Sequence, residues 1–321
     1  MMSSVSVIVP AFNEAEVLPE FHRRLMSVLD ALDREFEVLY INDGSIDDTL
    51  DILVGFAEAT RNVGVIDFSR NFGKEVAVTA GLEYASGDAV VVIDADLQDP
   101  PELIPEMVAL WEQGGDVVYA RRRRRFGDAL IKRFTAKLFY LVIRRVSSIR
   151  IPEDTGDFRL LSRRAVDALN RLPEQHRFMK GLFAWIGFRQ VAIEYDRDPR
   201  FAGETKWNYW RLWNFALEGI TSFSAVPLKL ASYVGLIAAL FGFSYAGWII
   251  FKTLMYGDPV AGYPSLMVVI LCMGGIQLLG IGILGEYLAR TFDETKHRPL
   301  YLVKDFRPSR LHQGSKIENT D

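Results

Sequence analysis

The stretch AVVVIDADLQDPP, Ala89 to Pro101, passes from five consecutive apolar residues to three aspartates within six positions. An unbroken β-branched run of this kind reads as a strand buried on both faces, because a strand with one wet face would alternate. Such a strand belongs to a sheet covered by helices on both sides, and ligands of such sheets bind beyond the C-terminal strand ends. Asp94 and Asp96 stand at that end. Val5 to Val9, Phe36 to Ile41, Val63 to Phe68 and Asp116 to Tyr119 also read as strands, with helices between them. The predicted fold is therefore α/β, a doubly wound parallel sheet. Polar residues gather at the same edge: Asn13 and Glu14 follow the first strand, and Asn42 and Asp43 the second. Asn13, Asp47 and Asp99 also suit helix N-caps, and the clustering is what favours a site.

Composition frames that sheet. With 321 residues, 50% hydrophobic and 24% charged, the chain holds one large α/β domain plus a smaller element. A formal net charge of -4 gives no case for nucleic acid as a partner. Cys272 is the single cysteine, which excludes an intrachain disulfide and a cysteine-built zinc site. Met1 to Pro10 has no basic leader and runs into the first strand, so the N-terminal domain is expected to stay cytoplasmic.

Leu230 to Phe251 is 22 residues without a charge, and Pro259 to Gly285 is 27. Each is long enough to span a bilayer; the alternative, a buried hairpin in a soluble core, requires longer helices than cores usually hold. Spans of about 230–252 and 263–287 divide the chain into a domain at 1–224, a hairpin at 225–292 and a tail at 293–321. Lys229 precedes the pair and Arg290, Lys296 and Arg298 follow it, so both outer ends are expected on the cytoplasmic side of the cytoplasmic (inner) membrane. Phe126 to Val146 reads as a basic amphipathic helix and Trp207 to Phe223 as an aromatic-rich one, both suited to the membrane interface; packing on the sheet is the alternative. Glycines from Gly274 to Gly285 suit close helix contact, within the hairpin or in a homo-oligomer. Pro308 to Asp321 reads as a flexible tail.

Two carboxylates two residues apart at a strand end, Asp94 and Asp96, with the Gln98 amide beyond, supply hard oxygen ligands for Mg²⁺ or Mn²⁺. Such ions also bind diphosphate oxygens and offset charge on a departing nucleoside diphosphate. A phosphate acceptor needs little general-base help, its second pKa being about 6. Aligning two anions is the harder task, and Arg122, Arg125, Lys132, Arg200 and Lys206 flank the proposed site as cations for it.

Six motifs together carry a family resemblance: VIVPAFNE (Val7 to Glu14), NDGS (Asn42 to Ser45) with Asp47 and Asp48, SRNFGKE (Ser69 to Glu75), DADLQDPP (Asp94 to Pro101), TGDFRLLSR (Thr155 to Arg163) and GETKW (Gly203 to Trp207). With the paired C-terminal helices, they resemble the family 2, GT-A-fold inverting glycosyltransferases of the polyprenyl-phosphate class, most of all the bactoprenol glucosyltransferases. The chain is also similar to dolichyl-phosphate mannose synthases and undecaprenyl-phosphate aminoarabinose transferases. The resemblance implies a GT-A doubly wound, mostly parallel sheet with interfacial amphipathic helices and a two-helix transmembrane hairpin.

It also implies roles. Pro10, Phe12, Glu14, Asp43 and Lys74 match nucleotide-sugar positions, with Asp43 on the base. Asp94, Asp96 and Gln98 match the metal and diphosphate site. Asp157 matches an acidic position of the catalytic centre, taken with Asp96 as catalytic; acceptor ionisation favours organising over proton abstraction for it. Arg122, Lys132 and Thr135 match the acceptor-phosphate site, and Arg200 and Lys206 the loop that closes on the diphosphate. Thr205 stands where serine is commoner and keeps the hydroxyl.

The expected reaction is transfer of glucose from UDP-glucose to undecaprenyl phosphate, with GDP-mannose or another UDP-sugar as the alternative donor. A processive synthase would carry Q-x-x-R-W, where this chain has Gln175-His176-Arg177-Phe178. A non-catalytic nucleotide-binding membrane scaffold is the reading from another class; intact Asp94, Asp96 and Asp157 oppose it.

Overall fold

The computed structural model describes residues 3–122, 155–175, 177–195, 226–256 and 262–311. Strands β1 (Val5–Ala11), β2 (Phe36–Asn42), β3 (Val63–Phe68), β4 (Ala89–Val92) and β5 (Val117–Arg122) form where the continuous apolar runs predict them. Three more were not legible as strands: β6 (Thr155–Ser162), β7 (Gln190–Tyr195) and β8 (Val303–Arg307). The sheet order is β7-β5-β6-β4-β1-β2-β3-β8. The central β4-β1-β2-β3 block is parallel, whereas β6 runs antiparallel between β4 and β5, and β8 antiparallel along β3.

Helices cover both faces, which is why the strands need no polar side. Val5, Val7 and Val9 of β1 pack beneath α1 (Leu18–Asp30), α2 (Thr49–Ala59) and α4 (Ile104–Glu112). Ile8 faces the opposite core, under α3 (Lys74–Tyr84), α5 (Arg163–Asn170) and α6 (Met179–Trp185). Leu18, Phe21, Leu25 and Leu29 give α1 one apolar stripe at helical spacing, and each fully buried side chain contributes about 1.5–3 kcal/mol. The α3 helix lies so close to β1 that a Cβ on Gly81 would fall 2.1 Å from Ile8 Cγ2.

The β4–β6 pairing positions the site. Val92 lies opposite Arg159, so the same register carried two residues on sets Asp94 opposite Asp157.

Beyond the sheet, α7 (Val226–Tyr256) and α8 (Tyr263–Thr295) pack against each other as a hairpin. At about 1.5 Å per residue both exceed the roughly 30 Å hydrocarbon core of a bilayer. Among the described residues, Cys272–Thr295 is long and apolar enough to cross a membrane, and Ala231–Tyr245 is a shorter apolar run. Leu236, Phe241, Phe243, Leu254, Leu279 and Leu288 are exposed on this hairpin, an apolar surface that water does not tolerate.

The stretch expected as a tail at 293–321 is described as far as residue 311. The first residues complete α8, and β8 then returns to the sheet and closes the β3 edge. Leu302 O accepts from Ser69 N at 2.9 Å, Arg310 N donates to Arg61 O at 2.7 Å, and Ser309 is fully buried. An edge strand is half wetted, so Val303-Lys304-Asp305-Phe306-Arg307 carries too little apolar signal to be read as one. The hairpin thus leaves and rejoins the same domain. The amphipathic stretches expected at 126–146 and 207–223 lie outside the described residues.

Candidate active site

The turns after β1 and β2 interlock. Asn13, in the left-handed region at φ 54°, donates its N–H to Ser45 Oγ at 3.0 Å and accepts from Ile46 N at 2.9 Å. Asparagine tolerates that conformation better than most residues. Glu14 N donates to Thr49 Oγ1 and Asp47 accepts from Thr49 N at 3.1 Å, which ties the turn ahead of α2, but the N-cap residues of α1 and α2 are Val17 and Asp48, so neither Asn13 nor Asp47 is an N-cap. Pro10, Phe12 and Glu14 line up along this platform, each partly exposed.

Asp43 is buried, and its carboxylate accepts from Phe72 N at 2.6 Å and Gly73 N at 3.0 Å. Burial pushes its pKa up against those two N–H groups. The side chain expected on the base therefore also fixes the loop that introduces α3. Gly44 makes the approach feasible: at φ +64° its position would put a Cβ 2.3 Å from the Arg70 carbonyl carbon.

Beyond β4, Leu97 holds φ 57°, a costly conformation for a branched residue. It turns the chain so that Gln98 N donates to Asp96 Oδ1 at 3.1 Å, while among the described residues the buried Gln98 Oε1 has no hydrogen-bond partner. An orphaned amide oxygen beside two aspartates fits a hard divalent cation. Among the described residues no cluster of three acidic or histidine ligands exists, so such an ion would complete its shell with diphosphate and water. Asp99 anchors the turn: it is buried and accepts from the Tyr195 hydroxyl at the end of β7.

β6 brings Asp157 to this edge. Lys74 Nζ stands 2.5 Å from Asp157 Oδ2 and 2.7 Å from Asp94 Oδ2, so one ammonium bridges the two carboxylates. Lys180 of α6 lies 3.9 Å from Asp157 Oδ1. Burial acts to raise the Asp157 pKa, but the two lysines outweigh it and hold the carboxyl well below its usual range. Burial lowers the Lys74 ammonium less than Asp157 and Asp94 raise it, so it stays charged. Asp94 moves up through burial, partly opposed by Lys74. Glu75, beside them on α3, is pushed up to about 7 by burial and by Asp157. Arg159 braces the strand from beneath: it donates to Gly156 O at 2.8 Å and Asp157 O at 3.3 Å, and stacks on Phe183 at 3.8 Å.

The structure thus gathers Asp43, Lys74, Asp94, Asp96, Gln98 and Asp157 at one sheet edge. Arg122 closes β5, and Lys132, Thr135, Arg200 and Lys206 lie outside the described residues. Glu75, Arg159, Lys180 and Tyr195 were not singled out in the sequence. Arg159 alone left a signal, a charge two residues after Asp157 inside an apolar run.

A family model described as glycosyl transferase family 2 matches residues 6–169, the span from β1 to α5 that carries all of these aspartates. The chain belongs to glycosyl transferase family 2. A second model, the GtrB C-terminal hairpin, matches residues 226–291 of this family 2 chain, so α7 and α8 associate it with a membrane. The protein is a glycosyltransferase with a GT-A-like sheet. It is 53% identical over 305 residues to an uncharacterised glycosyltransferase of Synechocystis sp., covering 95% of this chain and 96% of that one. It is 48% identical to the bactoprenol glucosyl transferase of Shigella phage SfV, covering 94% of this chain and 98% of that one. Among solved structures it is similar to glucosyl-3-phosphoglycerate synthase from Mycobacterium tuberculosis in complex with Mn²⁺ and UDP-glucose, at 21% identity and TM-score 0.45, covering 68% and 77% of the two chains.

Proposed function

We propose that this glycosyltransferase moves glucose from UDP-glucose to the phosphate of undecaprenyl phosphate at the cytoplasmic membrane face, with inversion at the anomeric carbon. The observation that carries this is the meeting of Asp94 and Asp157 across the β4–β6 register, with Lys74 between them, at the ligand edge of a sheet tied at both ends to a membrane hairpin. The relatives named bactoprenol glucosyl transferases support the lipid acceptor and the sugar.

Asp94, Asp96 and Gln98 would hold Mg²⁺ or Mn²⁺, which when bound offsets charge on the leaving diphosphate. The interlocked turns after β1 and β2 receive the nucleoside, and Lys74 faces its diphosphate. Asp157, kept ionised by Lys74 and Lys180, takes no proton from an acceptor that is already anionic; it orients the cations that receive that acceptor. Arg122, Lys132 and Thr135 are assigned to the acceptor phosphate, and Arg200 and Lys206 to the loop over the donor. Lys229 before the hairpin and Arg290, Lys296 and Arg298 after it support a cytoplasmic catalytic domain.

The test is transfer of radiolabelled sugar from a panel of UDP- and GDP-sugars to undecaprenyl phosphate in membranes carrying wild type or Asp96→Ala, with and without EDTA. Lipid label from UDP-glucose alone, lost with Asp96→Ala and with EDTA, is the expected result. Label from another donor reassigns the sugar, and no lipid label from any donor rejects the acceptor.

A further inference from the structure

Lys74 is a cation in a place that does not favour one. It opens α3, where the exposed N–H groups of a helix start repel positive charge. Its ammonium is nevertheless held between carboxylates from two different strands. Without a cation there, the β4–β6 register would set two carboxylates against each other. Yet Asp94 is also an oxygen offered to a divalent cation, so ammonium and metal compete for one carboxylate.

We infer that Lys74 is a displaceable internal counter-ion: it holds Asp94 and Asp157 together in the unloaded enzyme and passes to the donor diphosphate when a divalent cation takes Asp94. This rests on the metal and nucleotide-sugar reading above. The side chain is suited to the exchange, being 42% exposed while the carboxylates it joins are 25% and 19% exposed. Lysine carries a point charge on a flexible stem and can turn from one anion to another without a fixed planar geometry. Its backbone stays put, because Asp43 grips Gly73 N and α3 is buried from Ala77 to Leu82. Asp157 keeps Lys180 as a second partner when Lys74 leaves.

Metal entry breaks the ammonium's contact with Asp94, and the contact is replaced only if an anionic diphosphate is there to receive it. Metal alone then binds weakly, nucleotide alone finds the cation engaged, and the two together bind well. Lys74 thereby couples metal binding to donor binding.

The experiment measures Mn²⁺ binding by electron paramagnetic resonance, and UDP binding by calorimetry, on the full chain in lipid nanodiscs. Wild type, Lys74→Met, Lys74→Gln and Asp94→Asn are compared, with thermal unfolding as the check on folding. Both Lys74 variants should bind Mn²⁺ alone about 10-fold more tightly than wild type and bind UDP in saturating Mn²⁺ about 10-fold less tightly, within the usual range of coupling between sites. The factor by which UDP tightens Mn²⁺ binding should shrink accordingly. Unchanged Mn²⁺ affinity in the Lys74 variants overturns the inference, and so does unchanged UDP affinity, which would mean that Lys74 never leaves the carboxylates. Mn²⁺ binding that is lost in Asp94→Asn but indifferent to Lys74 keeps the metal reading while rejecting the counter-ion. Absence of Mn²⁺ binding from every protein, with or without UDP, rejects both.

Discussion

Tyr195→Phe removes one oxygen atom and tests whether β7 holds in place the turn proposed to bind metal. Tyr195 is 4% exposed and Asp99 2%, so the hydroxyl donates to a carboxylate that water reaches poorly. A hydrogen bond to a charged acceptor contributes about 1.5–3 kcal/mol, and a domain of this size loses about 2–4 °C in melting temperature per kcal/mol. The variant should therefore unfold about 4–8 °C below wild type for a loss of ~2 kcal/mol. Asp99 directly follows Gln98 and ends the turn that presents Asp94 and Asp96, so the second effect falls on the metal. Loss of an outer partner of this kind typically costs 10- to 100-fold in metal affinity, and the variant should need about 10-fold more Mg²⁺ or Mn²⁺ for half-maximal transfer. Scanning calorimetry in nanodiscs and a metal titration of transfer read the two effects separately. A variant that melts and responds to metal like wild type would refute the anchoring role of β7.

Ser309→Ala takes one hydrogen-bond donor from the fully buried Glu37, which Ser6 and the Ser86 N–H also serve, and should cost about 1–3 kcal/mol in denaturant unfolding without altering donor KM. Wild-type stability would mean that residues 308–310 do not strap the domain. Gly44→Ala forces a Cβ into the left-handed region and against the Arg70 backbone, costing at least about 1–3 kcal/mol and loosening UDP binding by displacing the loop before Lys74; UDP affinity equal to wild type would contradict that coupling. Burial holds the His22 pKa at about 4, whereas the unfolded chain takes up that proton near 6.5, so the unfolded state binds more protons in between. The stability His22 contributes is complete above pH 6.5 and is lost as pH falls through 4. The ring is only half-buried, so solvent screening cuts the full effect. Wild type should therefore lose about 1 kcal/mol more than His22→Gln between pH 7 and 5 in urea unfolding, and parallel losses would exclude His22 as a source of acid sensitivity.

What could be read from the sequence follows the physics of each element. β1 to β5 are buried on both faces, so their apolar runs are visible one strand at a time, and the charge-free lengths of α7 and α8 are equally local. β6 begins Thr155-Gly156-Asp157 and carries a buried arginine, a polar interruption that hides a central strand. β8 is hidden for the opposite reason, since an edge strand after a membrane helix needs little apolar character. The site divides in the same way. Asp94 and Asp96 are marked by their position at a strand end, whereas the meeting of Asp94 with Asp157 depends on an antiparallel register between strands far apart in sequence. Asp157 entered through family resemblance, not through any pattern of its own. Glu75, Lys180 and Tyr195 carry no local mark, because their roles come from which helix or strand lands beside the aspartates. Asp43 was legible as a site residue, but its hold on Phe72 and Gly73 was not.

The central claim is that Asp157, facing Asp94 across the β4–β6 register, organises transfer to a lipid phosphate. Single-turnover transfer from UDP-glucose to undecaprenyl phosphate in nanodiscs tests it most directly, comparing wild type with Asp157→Asn at saturating metal and measuring UDP affinity alongside. The prediction is a fall of about 100-fold or more in the transfer rate, the scale of misaligned reactants, with UDP affinity within a few-fold of wild type. Transfer at the wild-type rate by Asp157→Asn would contradict the account.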